Sequence, residues 1–444
     1  MSEKFKLQFI GGVGSTSGVS FLLEGAGKKI LIDAGLKTSC EPGDNSEEEF
    51  PYKPSEIDYV FVSHSHLEHS GRVPEIIKNG FNGAIYSTSD TKAMADLVMI
   101  DCLGAAGEEE SAYSQADLDK AMSLWRTEDY EKDIDLGEGL TVTMYDDGHV
   151  LGSALFVFKY NGKRLLFANA LGNPAALEFR NLNEEKDVEY AVIESVYGDK
   201  SHEITKEREE YLEDIIEETV NRKGTVLIPV SSIDKIFTVL HEVDKLREEG
   251  RVPVFPIYVD STIAAKAVGL YAKLFKCDCG TLEQFVERLE GLHFITNEQE
   301  SEEMMKVEGS KIVIGGISTL SEKRFDTYLS KYITNPNSSI VFIDFQPSGS
   351  VGRLLQEGKS HVVVHGGEDV EVGAQIETID GYSSHSDHNG LFKFVDDIRS
   401  DNLRKVFVAV GEPKASMYLV QRLRDYLGVN TKYPKTGDIF ELEF

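Results

Sequence analysis

Apolar positions in the first 170 residues fall in short runs. Residues 5–10, 19–23, 29–33, 59–63, 83–87, 140–145, 154–160 and 163–168 are rich in Val, Ile, Leu, Phe or Tyr and are bounded by Gly, Asn or Asp, which predicts β-strands. Tyr160-Asn161-Gly162-Lys163 predicts a tight hairpin, because Asn-Gly supplies the positive φ of a two-residue turn. From Glu203 the period changes: helical spacing over 206–221, 233–248 and 261–274 alternates with strand-like runs at 225–229 and 254–259. That alternation predicts βαβ units on a parallel sheet. A mixed pattern closes the chain, with strands at 374–379 and 405–410 and helices at 389–398 and 416–427. No internal repeat or low-complexity tract interrupts it.

The 444 residues, 41% hydrophobic with 12 prolines, have enough apolar content for a packed core and exclude a disordered or fibrous chain. At about 150 residues per domain, two or three domains are expected. The charge changes the picture more: 46 Lys and Arg against 76 Asp and Glu give −30. Phosphate binding rests on basic side chains and counterion release, so the sum argues against nucleic acid unless a local patch exists. Lys235, Lys273, Lys276 and Arg353 are candidates for such a patch. No apolar run is long enough to span a bilayer and the start lacks a signal-like core, so a soluble, cytoplasmic protein with no membrane partner is expected. Cys40, Cys102, Cys277 and Cys279 form neither a disulfide framework nor a structural zinc quartet, and reduced thiols are expected.

Chemistry concentrates at His64-Ser65-His66-Leu67-Glu68-His69, directly after the apolar run 59–63. Imidazoles two apart at a strand end face the same way, and neutral imidazoles with a carboxylate are what Zn²⁺ accepts. The bland reading is a polar helix start with solvated histidines. His149, in Gly148-His149-Val150-Leu151-Gly152-Ser153, is a further candidate ligand.

These residues carry a resemblance. Together with Ile30-Leu31-Ile32-Asp33-Ala34-Gly35, Glu194-Ser195-Val196-Tyr197-Gly198, Asp260-Ser261, Gly349-Ser350-Val351-Gly352-Arg353, Ser384-His385-Ser386-Asp387 and Gly411-Glu412-Pro413, the chain resembles the β-CASP branch of the metallo-β-lactamase superfamily, RNA- and DNA-processing nucleases. The resemblance implies an α/β fold: an αββα metallo-β-lactamase sandwich from residues 1–202 and 374–444, with a β-CASP α/β domain inserted at 203–373. By the same resemblance His64, His66 and His149 fall on ligands of a first metal, and His69 falls on a ligand of the second beside Glu68, which stands at an aspartate. Glu194 matches an acidic residue supporting the site, and His385 one that protonates the leaving oxygen, with Asp387 within reach. Ser350, Gly352 and Arg353 are candidate phosphate or RNA contacts, the alternative being a turn with Arg353 paired to a carboxylate. Asp33 is read as a residue that orients the histidine segment.

The pattern breaks at two ligands. The bridging aspartate aligns with Ala170 and the late histidine with Val410, and the segments around Val230-Ser231-Ser232 and Gly316-Ile317-Ser318-Thr319 also depart from the family. Two dications about 3.75 Å apart repel by roughly 18 kcal/mol at an effective dielectric of about 20, so losing the carboxylate between them disfavours a pair. One zinc at most is expected. The leading expectation is a catalytically impaired β-CASP ribonuclease homologue, an accessory or partner subunit in RNA processing with weak or partner-assisted RNA contact, as a homodimer or a heterodimer with an active β-CASP paralogue. The alternative is an active ribonuclease that uses a single zinc-bound hydroxide.

Overall fold

In a computed structural model, the structure describes residues 4–37, 49–106, 111–173, 187–202, 205–272, 281–316, 319–344, 346, 349–364 and 367–444. The chain divides into two compact units, 1–201 with 384–444, and 202–383.

The first unit holds two seven-stranded sheets. One runs in the order Ile439–Glu443, Lys4–Gly11, Ser20–Gly25, Lys28–Ile32, Tyr59–Phe61, Ala84–Ser87, Trp125–Thr127. The other runs Thr431–Lys432, Lys405–Val408, Tyr190–Ile193, Lys163–Ala168, Ala154–Tyr160, Thr141–Asp146, Asp133–Asp135. Alternation along the strands explains the layers. Phe156 and Phe158 join Phe9, Phe21 and Phe167 in a core of buried aromatic and aliphatic side chains, while Leu155 and Val157, on the opposite face, pack with Leu391, Val395 and Leu419 of the C-terminal helices. On the first sheet Val60 and Ile85 pack with Ile76, Ala95 and Leu118 of the helices following Tyr59–Phe61 and Ala84–Ser87. The result is the expected αββα sandwich. The Asn161-Gly162 hairpin forms with φ of 49° and 76°.

The second unit is built on a six-stranded sheet in the order Leu292–Ile295, Ile257–Asp260, Lys311–Gly315, Thr225–Pro229, Ser339–Phe342, Gln375–Thr378, with every pairing parallel. Strand Gln375–Thr378 pairs with Ser339–Phe342. The division expected at 373/374 therefore falls at 383/384, because that strand's backbone bonds are satisfied in the inserted sheet. Cys102 is disulfide-bonded, which corrects the expectation of a reduced thiol there; it is buried with Leu36 and Leu67. The other cysteines lie outside the described residues. Among the described residues no helix is long and apolar enough to cross a membrane.

Candidate metal centre

Strand ends assemble the site. Lys28–Ile32 and Tyr59–Phe61 are parallel neighbours, so Asp33 and Ser63 leave the first sheet side by side. Asn169, Glu194 and Val410 follow three mutually parallel strands of the second sheet, Lys163–Ala168, Tyr190–Ile193 and Lys405–Val408. Asp33, at φ 60° and fully buried, collects four donors. The Ser63 backbone N–H donates to its Oδ1 at 2.7 Å; the Ser63 hydroxyl, the Asn169 amide and the His69 Nδ1–H donate to Oδ2 at 2.8, 2.8 and 2.7 Å. Its expected orienting role is what these contacts describe. The backbone of 66–69 is laid against 34–36: Ala34 N–H donates to the His69 carbonyl and Leu36 N–H to that of Leu67, both at 2.8 Å. Gly35 is required here, since a Cβ would stand 1.6 Å from the Glu68 carbonyl oxygen.

His64, His66 and His149 converge, with one ligand nitrogen of each within 4.8 Å of the others, and are the metal-competent group among the described residues. Burial, then the neighbouring imidazoles, pushes the pKa values of His64 and His149 well below the usual histidine range. Both are therefore neutral near pH 7, the form a metal accepts. His149 Nε2 is buried with no hydrogen-bond partner among the described residues, while its Nδ1 lies 3.3 Å from the Ser384 carbonyl. A buried lone pair without a donor, beside two further imidazole nitrogens, fits a zinc ligand.

Ala170 and Val410 are the positions at which the resemblance expects two further ligands. They are 0% and 1% exposed, and Val410 belongs to the apolar core of the sandwich. Asn169 spends its amide on Asp33, and its Oδ1 is buried with no hydrogen-bond partner among the described residues. His69 is buried with Nδ1 on Asp33, and Glu68 is exposed; neither joins the three-histidine group. Val410 has φ 44°, a conformation costly for a β-branched residue, and is pinned by its N–H to Gly12 (2.6 Å) and by its carbonyl, which accepts from Ser195 N–H (2.9 Å).

His385 stands beside the group, its ring centroid 4.1 Å from that of His149. Its Nδ1 is 2.8 Å from Glu194 Oε1, and Glu194, fully buried, also accepts from Leu171 N–H at 2.7 Å and Val196 N–H at 3.2 Å. Glu194 is thus the carboxylate that orients His385. Asp387, the partner read from the sequence, caps the helix His388–Ile398 by accepting from Asn389 and Gly390 N–H at 2.9 Å each. In the second unit Ser350 caps the helix Val351–Gln356, Gly352 packs on Gln346, and Arg353 pairs with Glu357 at 3.1 Å, the turn alternative for this segment. Lys235 is buried on the Tyr382 carbonyl and near Asp344, so it adds nothing to a surface patch; Lys273, Lys276, Ile317 and Ser318 lie outside the described residues.

Sequence reasoning passed over Asp147. Its Oδ1 accepts from His149 N–H (2.9 Å) and from the Ser153 hydroxyl, its carbonyl accepts from Gly172 N–H (2.7 Å), and burial raises its pKa well above the carboxylate range. It shapes the turn that presents His149. The only signal was an acidic residue two positions before a candidate ligand, between glycine-rich turns.

The comparisons with known proteins agree with this architecture. Residues 22–173 match the metallo-beta-lactamase superfamily domain, 236–355 the Beta-Casp domain, and 369–434 the Zn-dependent metallo-hydrolase RNA specificity domain. The chain is 27% identical to Ribonuclease TTHA0252 of Thermus thermophilus over 87% of its own length and 89% of that protein's. It is 25% identical to the transcription termination factor FttA of Pyrococcus abyssi, over 99% of this chain and 72% of that one, and 23% identical to FttA of Methanosarcina mazei, over 95% and 69%. A crystal structure of a protein of unknown function from Enterococcus faecalis shares the fold, with a TM-score of 0.57 at 13% identity over 99% of this chain and 100% of that one. With all three domains present in order on an αββα sandwich carrying an inserted parallel-sheet unit, the chain belongs to the β-CASP branch of the metallo-β-lactamase superfamily, a family of RNA-processing nucleases.

Proposed function

We propose that this protein is a single-zinc, catalytically impaired β-CASP ribonuclease homologue that acts in RNA processing as an accessory or partner subunit, as a homodimer or beside an active paralogue, without metal-dependent RNA cleavage of its own. The observation that carries the reading is the asymmetry of the centre. His64, His66 and His149 remain convergent, His64 and His149 are neutral, and the Nε2 of His149 has no other partner among the described residues, whereas the second position is filled by Ala170 and Val410 and by an Asn169 and His69 already bonded to Asp33. A zinc held by the three imidazoles supplies Lewis acidity to a phosphodiester oxygen and lowers the pKa of a water. Around it, Glu194 holds His385 at Nδ1, and Nε2 is the nitrogen that would give or take a proton at a leaving oxygen. Asp33 keeps His69 in the Nδ1–H tautomer. That intact His385–Glu194 pair favours a second reading, a slow but genuine single-zinc ribonuclease. Both predict about one equivalent of zinc in the purified chain, abolished in a His64→Ala, His66→Ala variant. They part on cleavage of single-stranded RNA with Zn²⁺ or Mn²⁺. Turnover that vanishes in that variant and in His385→Ala establishes the second reading and ends the first, and a chain that takes up no zinc ends both.

A further inference from the structure

Away from the metal centre, the helices His388–Ile398 and Pro413–Leu427 bound an open cavity of about 680 Å³. One face of each helix is spent on the sandwich, where Leu391, Val395, Leu419 and Leu423 are buried. The faces turned to the cavity carry rings that the fold does not need. Tyr426 is 76% exposed and Tyr418 46%. Tyr418 lies nearly parallel to His388, 13° between planes and 6.1 Å between centroids, and Tyr426 meets Phe392 edge-on at 78° and 6.4 Å. The Arg422 guanidinium sits 4.9 Å over the Phe392 ring and donates to Asn389 Oδ1 at 2.8 Å, which holds it flat in the groove. Gln421 and Asp425, one turn apart, supply hydrogen-bonding edges, and His388 Nδ1 is buried without a partner among the described residues.

The chemistry selects the occupant. One arginine, already engaged, against one aspartate is too little positive charge to hold a phosphate chain or an anionic bilayer by itself. An apolar helix laid here would leave Arg422, Gln421 and Asp425 facing carbon. A flat heteroaromatic ring whose rim donates and accepts hydrogen bonds satisfies both the rings and the polar edges, and the cavity is of small-molecule size. We propose that this groove binds bases of single-stranded RNA, stacked on Tyr418 and Tyr426, with Gln421 and Asp425 at the base edge. The proposal rests on the RNA reading above but on none of the residues of the metal centre.

The test is fluorescence anisotropy of the full chain with labelled oligo(A), oligo(C) and oligo(U), comparing wild type with a Tyr418→Ala, Tyr426→Ala variant and with the ring-retaining Tyr418→Phe, Tyr426→Phe variant. Loss of one stacked base corresponds to at least about a fivefold weaker Kd. The alanine variant is therefore expected to weaken at least fivefold, the phenylalanine variant to stay within about twofold, and the dependence of log Kd on log salt to keep its slope, because no phosphate contact is removed. An alanine variant that binds as tightly as wild type overturns the proposal. So does a change of oligomeric state by sedimentation with unaltered RNA affinity, which makes the groove a contact between copies. If wild type binds none of the three RNAs, the RNA part of the preceding reading falls as well, whereas zinc content still judges the metal centre separately. Both tyrosines are substantially exposed, so unchanged thermal unfolding is the expected control.

Discussion

Replacing Asp33 with alanine removes one acceptor from four donors: Ser63 N–H, Ser63 Oγ–H, His69 Nδ1–H and Asn169 Nδ2–H. Water cannot take its place, since Asp33, Ser63, His69 and Asn169 are 0%, 1%, 4% and 1% exposed. At about 1–3 kcal/mol for each buried donor left unpaired, the four sum to about 4–12 kcal/mol. Two effects pull toward the low end. The Ser63 hydroxyl can turn to His64 Nδ1 at 3.1 Å, and the variant no longer buries a carboxylate. A loss of about 4 kcal/mol is expected, a large part of the roughly 5–15 kcal/mol that stabilises a domain. Trp125, the only tryptophan, is buried in the first unit, so its fluorescence in urea reports the unfolding of the unit that holds the centre. Zinc affinity, read by competition with a chromophoric chelator, is expected to fall about 10–100-fold because the histidine segment loses its orienting partner. If Asp33→Ala unfolds within about 1 kcal/mol of wild type and binds zinc equally well, the carboxylate is not what holds the centre together, and the account given of it is wrong.

Three further outcomes follow. Ala170→Asp with Val410→His is expected to raise bound metal from about one equivalent to two, since the backbone at 410 already has a φ of 44° that histidine tolerates better than valine; metal analysis that still finds one equivalent refutes this. In the metal-free chain, burial sets the folded pKa values of His64 and His149 below 6.5, so the unfolded state binds more protons under that pH. Stability is then complete above pH 6.5 and falls as the pH drops toward the folded values, by roughly 1 kcal/mol per pH unit for each histidine, and equal Trp125-monitored stability at pH 7.5 and 5.5 in chelator contradicts it. In the second unit Asp260→Ala strands Arg324, which reaches both carboxylate oxygens, and leaves the Tyr328 hydroxyl with Ser301 Oγ at 2.7 Å; a cost of about 3–5 kcal/mol, measured by amide exchange in Ile257–Asp260, is expected, and protection within 1 kcal/mol of wild type defeats it.

Strong local patterns were legible in the sequence. Ala154–Tyr160, Lys163–Ala168, Thr225–Pro229 and Ile233–Glu248 form at the residues that periodicity marks, because each pattern is satisfied by one face or by full burial. The short edge strands Trp125–Thr127, Asp133–Asp135 and Ile439–Glu443 were not anticipated. Three to five residues carry too little alternation, and two of these strands are fixed by partners far away in the chain, Ile439–Glu443 by Lys4–Gly11 and Trp125–Thr127 by Ala84–Ser87. The same limit governs the site. His64 and His66 are two apart and could be read together, but the pairing of His385 with Glu194, 191 positions earlier, exists only once three parallel strands stand side by side. Sequence proximity pointed instead to Asp387, whose local bonds are those of a helix cap.

If, as proposed, Ala170 and Val410 stand in place of two ligands, the pattern of unpaired buried atoms bears on whether that is a recent defect or an accommodated state. A site that had merely lost two side chains would leave their former neighbours without partners. Here His69 and the Asn169 amide are both bonded to Asp33, and Val410 keeps two backbone bonds that hold it in a strained conformation. Among the described residues, the orphans near the centre are His149 Nε2, Asn169 Oδ1 and Asp147 Oδ2. Of these, the imidazole nitrogen belongs to the convergent group, the amide oxygen is a neutral donor with no carboxylate charge to screen a second dication, and burial raises the pKa of Asp147 toward a proton-bearing form. On the proposed reading, charge balance favours one dication on the three imidazole nitrogens. The strain at Val410 argues that the backbone there is fixed by the surrounding sheet ends and not by the identity of the side chain, which is why introducing Ala170→Asp and Val410→His, without any loop redesign, is a fair test of whether a second position can be built.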